Sequence, residues 1–209
     1  MRKGILVNMD LCVGCQACYV ACKLENQVAP KIQWNQIQRT EDEKRGIITY
    51  FRMSCMHCDE PACLPVCPAK AISKGPKGEV LVDSKKCVGC HMCEARCPWH
   101  VPLFNTSGRT NYWDKAPLVH IEPQAYQVRV PGKAEHCTLC AHRETPACVE
   151  ACKLGALVLV DYDNLTPQQQ SLVKASKAMN GAEATKPKVR YVSRNVDVSA
   201  LKREVVHLQ

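Results

Sequence analysis

Large aromatic side chains are scarce: Phe, Trp and Tyr make up 5% of the 209 residues, and Phe occurs only at Phe51 and Phe104. A chain this poor in bulky core side chains needs another source of cohesion. Long apolar runs are missing too. None reaches the roughly 18 residues of a membrane-spanning helix, so no transmembrane segment of its own is expected. The opening segment MRKGILVNMD has a three-residue apolar run just before Cys12, too short for a secretory signal, and no twin-arginine pair precedes it. The expectation is a chain with no signal peptide of its own, cytoplasmic, or exported or membrane-associated through a partner subunit.

What the chain does have is cysteine. All sixteen fall into four groups of four. Group one is Cys12, Cys15, Cys18 and Cys22; group two is Cys55, Cys58, Cys63 and Cys67. Group three is Cys87, Cys90, Cys93 and Cys97; group four is Cys137, Cys140, Cys148 and Cys152. Three chemistries compete for such thiols. An even count suits a disulfide framework, but that belongs to secreted chains. Zinc takes C-x2-C pairs, but structural zinc sites combine two separated pairs. The run C-x2-C-x2-C-x3-C-P is instead the bacterial ferredoxin signature for [4Fe–4S] ligation. Group three matches it in full, and group one matches except that Lys23 stands where proline is expected.

The formal charge of +8 would by itself suit nucleic acid or another anionic partner. Thiolates on clusters change that count. Each oxidised [4Fe–4S] core with four thiolates carries about −2, so four bring about −8. The basic excess then compensates buried anions. No basic run with interleaved aromatics occurs either, so nucleic acid is not the expected partner.

The flanks of the groups indicate how they pair. The segment 4-GILVNMDLCVGC-15 resembles 78-GEVLVDSKKCVGC-90. Short apolar strands also follow group two, from Ala71-Ile72, and group four, in 155-GALVLVD-161. Residues 5–9 are therefore expected to pair with 156–160, and 71–73 with 79–82 across 75-GPKG-78. The fold class that follows is α+β, with two nested ferredoxin-like units built of short β-hairpins and helices. Residues 1–50 and 105–165 form the outer unit, with an insertion at 98–136; residues 51–104 form the inner unit, and 166–209 a C-terminal extension.

In the signature the fourth cysteine ligates the other cluster of a pair. One outer cluster then takes Cys12, Cys15, Cys18 and Cys152, and its neighbour Cys137, Cys140, Cys148 and Cys22. In the inner unit one takes Cys55, Cys58, Cys63 and Cys97, and the other Cys87, Cys90, Cys93 and Cys67. The cofactors are thus four [4Fe–4S] clusters, with no vacancy for His57, His91, His136 or His142 as ligands. These histidines are expected around the clusters or at the surface.

Three further segments carry weaker readings. The insertion reads as a lid or a docking surface, with a short hairpin in 118-LVHIEP-123 and 126-YQVRV-130. Thr166 and Pro167 start a helix that Gly181 would end. The polar segment 186–209 is expected either to wrap the body or a partner, or to be disordered.

With all four groups in order over residues 4–161, the chain resembles the iron–sulfur subunits of the dimethyl sulfoxide reductase family. That resemblance implies a molybdopterin or tungstopterin catalytic subunit as partner, and often a membrane subunit that exchanges electrons with quinone. It implies the same crossed ligation, with the group-one and group-four clusters toward the catalytic subunit. Members that replace a group-three cysteine with Trp hold a [3Fe–4S] cluster; here Cys90 is present. The function implied is electron relay, not catalysis. Every iron is closed by thiolate, so the clusters pass electrons and do no bond chemistry. The alternative reading is a polyferredoxin serving another oxidoreductase, such as a tungsten aldehyde oxidoreductase or a hydrogenase.

Overall fold

A computed structural model describes residues 1–29, 31–105, 130–181 and 184–203. In chain order the elements are β1 (Lys3–Asn8), α1 (Ala17–Glu25), β2 (Asn35–Asp42), β3 (Ile47–Ser54), β4 (Ile72–Lys74), β5 (Val80–Val82) and α2 (Met92–Arg96). There follow β6 (Leu103–Phe104), β7 (Ala134–Glu135), α3 (Ala147–Glu150), β8 (Leu157–Asp161), α4 (Pro167–Ala175), β9 (Val189–Val192) and a 3-10 turn at Val198–Ala200. Strands and short helices mix, as an α+β chain requires.

β1 is the central strand of a three-stranded sheet, between β8 and β9, and Ile5, Leu6 and Val7 are all buried, so both of its faces are covered. Its antiparallel register with β8 places Ile5 opposite Leu159 and Val7 opposite Leu157, as the flanks of groups one and four predict. The second predicted pairing also forms. β4 meets β5 with Ile72 opposite Val82, and the Gly78 N–H closes the turn on the Gly75 carbonyl at 2.9 Å.

Two features depart from the sequence reading. β2 and β3, eight residues each, form a hairpin that the polar segment NQIQRTED did not announce. β3 then leads directly into Cys55. The helix opened by Thr166 ends at Ala175 rather than at Gly181. The cause is tertiary: Lys177 exchanges both backbone hydrogen bonds with Tyr191, at 2.8 and 2.9 Å, so the chain must already be extended there. The Thr166–Gln169 capping box and Pro167 do start the helix.

The C-terminal extension wraps the body. β9 runs parallel to β1, and Met179, Val189, Tyr191, Val198 and Leu201 join the main apolar cluster with Ile5, Val7, Phe51 and Trp99. Tyr191 is fully buried, edge-on to Phe51 with ring centroids 6.0 Å apart. Cys18, Cys58 and Cys148 belong to the same cluster, so cysteines of three groups meet in one core. The strand pair β6–β7 draws the ends of the insertion together. The hairpin expected at 118–130 lies, but for Val130, outside the described residues. No helix among those residues is long and apolar enough to cross a membrane.

Candidate metal centres

The loops of groups one and three repeat one backbone shape. Gly14 and Gly89 have φ of +70° and +73°, and Gln16 and His91, just before α1 and α2, have φ of +65° and +61°. A Cβ at Gly14 would strike the Tyr50 ring at 2.7 Å, and one at Gly89 would collide with the Gly132 carbonyl oxygen. Tight left-handed turns of this kind bring amide N–H groups onto the sulfurs. Cys12 accepts from Gly14 and Cys55 from His57. The Leu139 N–H donates to Cys137 at 3.4 Å, Ala71 to Cys67 at 3.2 Å, and Ala134 to Cys87 at 3.4 Å. Such donors favour the thiolate form of an accepting sulfur.

The fold also gathers cysteines across the groups. Cys152 acts electrostatically on both Cys12 and Cys18, and Cys15 acts on Cys12. Cys22 faces Cys137, Cys148 and Cys140. The amide of Asn26 reaches Cys22 Sγ at 3.8 Å and Cys140 Sγ at 3.7 Å. Cys63 faces Cys55, Cys97 and Cys58, and to the least extent Cys93. Cys93 faces Cys87 and Cys90, and Cys67 and Cys63 both share an apolar cluster with Cys87 and Cys93.

Burial pushes these thiols up: Cys55, Cys93 and Cys137 to about 11, and Cys58 to about 12. Cys22 goes well above its ordinary value, through burial first and then its cysteine neighbours. Four buried thiols together resist ionisation unless a cationic centre deprotonates them. Among the described residues, no three Cys, His, Asp or Glu side chains converge on one ion-sized point. A cube carries its thiolates on four separate irons, so its ligands need not converge that closely. Donor type, burial and amide donors all fit cubane clusters, which when bound supply one-electron transfer.

The four histidines near the groups make the following contacts. The buried His57 accepts from the Val80 N–H at 3.0 Å, and burial followed by His136 holds it well below the usual imidazole range. His136 Nδ1 lies 2.7 Å from the Cys137 carbonyl oxygen, His142 pairs with Glu25, and His91 stacks on Phe104. Sequence reasoning missed three residues. Arg52 on β3 is 1% exposed, with Nη2 3.7 Å from Cys137 Sγ. Lys23 donates from Nζ to the carbonyls of Val28, Ala29 and Ile32 at 3.3, 2.7 and 2.7 Å, anchoring the loop after α1. Asn26 is the third. Lys23 was marked only as a departure from the signature, and a single Arg or Asn carries no spacing that could have marked it.

Two models of the 4Fe-4S dicluster domain match the chain, over residues 11–71 and 47–119. The iron–sulfur cluster-binding subunit of menaquinone reductase from Nitratidesulfovibrio vulgaris is 30% identical, over 93% of this chain and 89% of its own. The arsenate respiratory reductase iron–sulfur subunit of Shewanella sp. is 31% identical, over 92% of this chain and 96% of its own. The B subunit of anaerobic dimethyl sulfoxide reductase from Escherichia coli is 29% identical, over 89% of this chain and 86% of its own. This chain therefore belongs to the iron–sulfur subunits of the dimethyl sulfoxide reductase family. It is a non-catalytic electron-transfer subunit, and its sixteen cysteines fit four [4Fe–4S] clusters. These relatives do not favour the free-polyferredoxin alternative.

Proposed function

We propose that this iron–sulfur subunit relays electrons between a molybdopterin or tungstopterin catalytic subunit and a quinone-linked or soluble redox partner. The observation that carries the proposal is the position of its two exposed cysteines. They are Cys15 and Cys90, one in each expected unit. Exposed apolar side chains accompany both. Leu11, Val13, Val20 and Leu24 lie near Cys15 in sequence, and Val88 and Met92 near Cys90. Val13 and Val88 are 61% and 62% exposed. A wire needs two accessible ends, and apolar surface beside each suits partner contact. By the family resemblance, the Cys15 end faces the catalytic subunit and the Cys90 end faces the exit. The relatives named for menaquinone and arsenate suggest a respiratory reductase, held at a membrane through a partner.

Within the wire we assign crossed ligation: Cys12, Cys15, Cys18 and Cys152; Cys22, Cys137, Cys140 and Cys148; Cys55, Cys58, Cys63 and Cys97; Cys67, Cys87, Cys90 and Cys93. Support comes from Asn26, which reaches Cys22 and Cys140 together. The two-ended relay is tested with Val13→Glu and Val88→Glu in the native complex. Val13→Glu should weaken capture of the catalytic subunit by about 10- to 100-fold, the cost of roughly 1–3 kcal/mol at an apolar contact. Val88→Glu should spare that capture and slow electron exchange with quinone or a soluble carrier. Equal effects of both variants on one partner would sink the two-ended reading.

A further inference from the structure

Among the described residues, Arg52 is a buried cation without a carboxylate partner. It lies on β3 opposite Ile37 and is 1% exposed. Its Nε and Nη1 are buried and have no hydrogen-bond partner among the described residues, and Nη2 reaches only Cys137 Sγ, at 3.7 Å. No Asp or Glu forms an ion pair with it among those residues. Desolvation of this kind is strongly unfavourable unless an anion compensates it. The groups that hold Arg52 in its charged form are all thiols: Cys148, Cys137, Cys18 and Cys22, in that order. Under the crossed assignment, Cys18 belongs to one outer cluster and the other three to its neighbour. Cys55 of the inner unit feels the same charge, after its own burial and the His57 N–H.

We propose that Arg52 is the shared counter-cation of the two outer clusters and raises the reduction potential of both. The inference rests on the four-cluster reading of the cysteine groups. Each cluster takes up one electron on reduction, from the neighbouring cluster or a redox partner, and becomes more anionic by one charge. A fixed cation at the sulfurs stabilises the reduced form more than the oxidised one, which shifts the couple upward. Because Arg52 stays charged at every working pH, this effect does not switch. It gives the outer pair a higher potential than thiolate ligation alone would give. One charge acting on both moves the two outer couples in the same direction.

The test is redox-poised electron paramagnetic resonance of the holo complex carrying Arg52→Gln, after its iron has been counted. With iron retained, the two outer clusters should each become harder to reduce by about tenfold, equal to about 59 mV for one electron. The cluster of Cys55, Cys58 and Cys63 should move less, and that of Cys87, Cys90 and Cys93 should not move. Unchanged potentials with full iron would overturn the proposal, as would an equal shift of all four. If Arg52→Gln does not hold its clusters, Arg52→Lys carries the test. Its ammonium reaches less far, so a smaller downward shift confined to the outer pair is expected, and an unmoved outer pair overturns the proposal. A wild-type complex without iron would instead strike at the four-cluster reading. Crossed or uncrossed ligation leaves the prediction intact, because Arg52 lies between the two outer groups either way.

Discussion

At the scale of single residues, the sulfurs are tuned by neighbours that carry no motif. Asn26 offers one amide to two thiols assigned to the same cluster. Asn26→Leu should therefore lower the potential of the cluster of Cys22, Cys137, Cys140 and Cys148 by up to about 59 mV, a tenfold change for one electron. Redox-poised resonance spectra resolve this, and an equal shift in the Cys87 cluster would speak against it. Cys22→Ser tests the ligation itself: the resonance of that same cluster should change, and that of the Cys12, Cys15 and Cys18 cluster should not. Lys23 explains its own departure from the signature. Where proline would only stop the chain, the lysine gathers three loop carbonyls. Gly14→Ala places a Cβ against Tyr50 at φ +70°, at a cost of roughly 1–2 kcal/mol for the left-handed backbone before the clash is added. Lower iron content and a lower melting temperature are expected.

At the scale of elements, the short apolar runs that flank the cysteine groups in repeated fashion were legible, and the hairpin β2–β3 and the strand β9 were not. β1, β4, β5 and β8 are short apolar runs next to a binding loop, so both their type and their partners could be read. β2 is mostly polar, and its strand state comes from its pairing with β3. β9 sits in the basic stretch KPKVRYVSRN, yet Val189 and Tyr191 alternate with the less buried Arg190 and Val192. That two-residue period was available and was outweighed by the surrounding polarity. The end of α4 was misplaced because Gly181 is a local signal, whereas the Lys177–Tyr191 pairing is a distant one. The four cysteine groups were readable because their spacing marks them; Arg52 was not, because a lone buried cation shows itself only in three dimensions. Tyr191→Ala should cost about 3–5 kcal/mol, as other large-to-small aromatic deletions in cores do. Denaturant unfolding of the loaded protein measures it, and a loss below about 1 kcal/mol would show that the extension is not part of the core.

For the whole molecule, cysteine replaces the missing aromatics, and the charge balance depends on the clusters. Buried thiols pack with Ile5, Phe51 and Trp99, so removing iron takes away cohesion from the centre. Protons and iron compete for those thiols. Burial raises the thiol values, so loading must expel protons, and acid opposes it. Chelator-driven bleaching of the visible absorption should accordingly speed up as pH falls from about 9 to about 6; a rate that rises with pH would contradict this. The formal +8 of the chain against about −8 from four oxidised clusters predicts a loaded protein near neutrality. The most direct test of the account is metal analysis of the native complex, purified without oxygen. About sixteen irons per chain are predicted, by the four-cube count, with molybdenum or tungsten from the catalytic partner. Zinc in place of iron would contradict the clusters, and full iron with neither molybdenum nor tungsten would contradict the proposed partner.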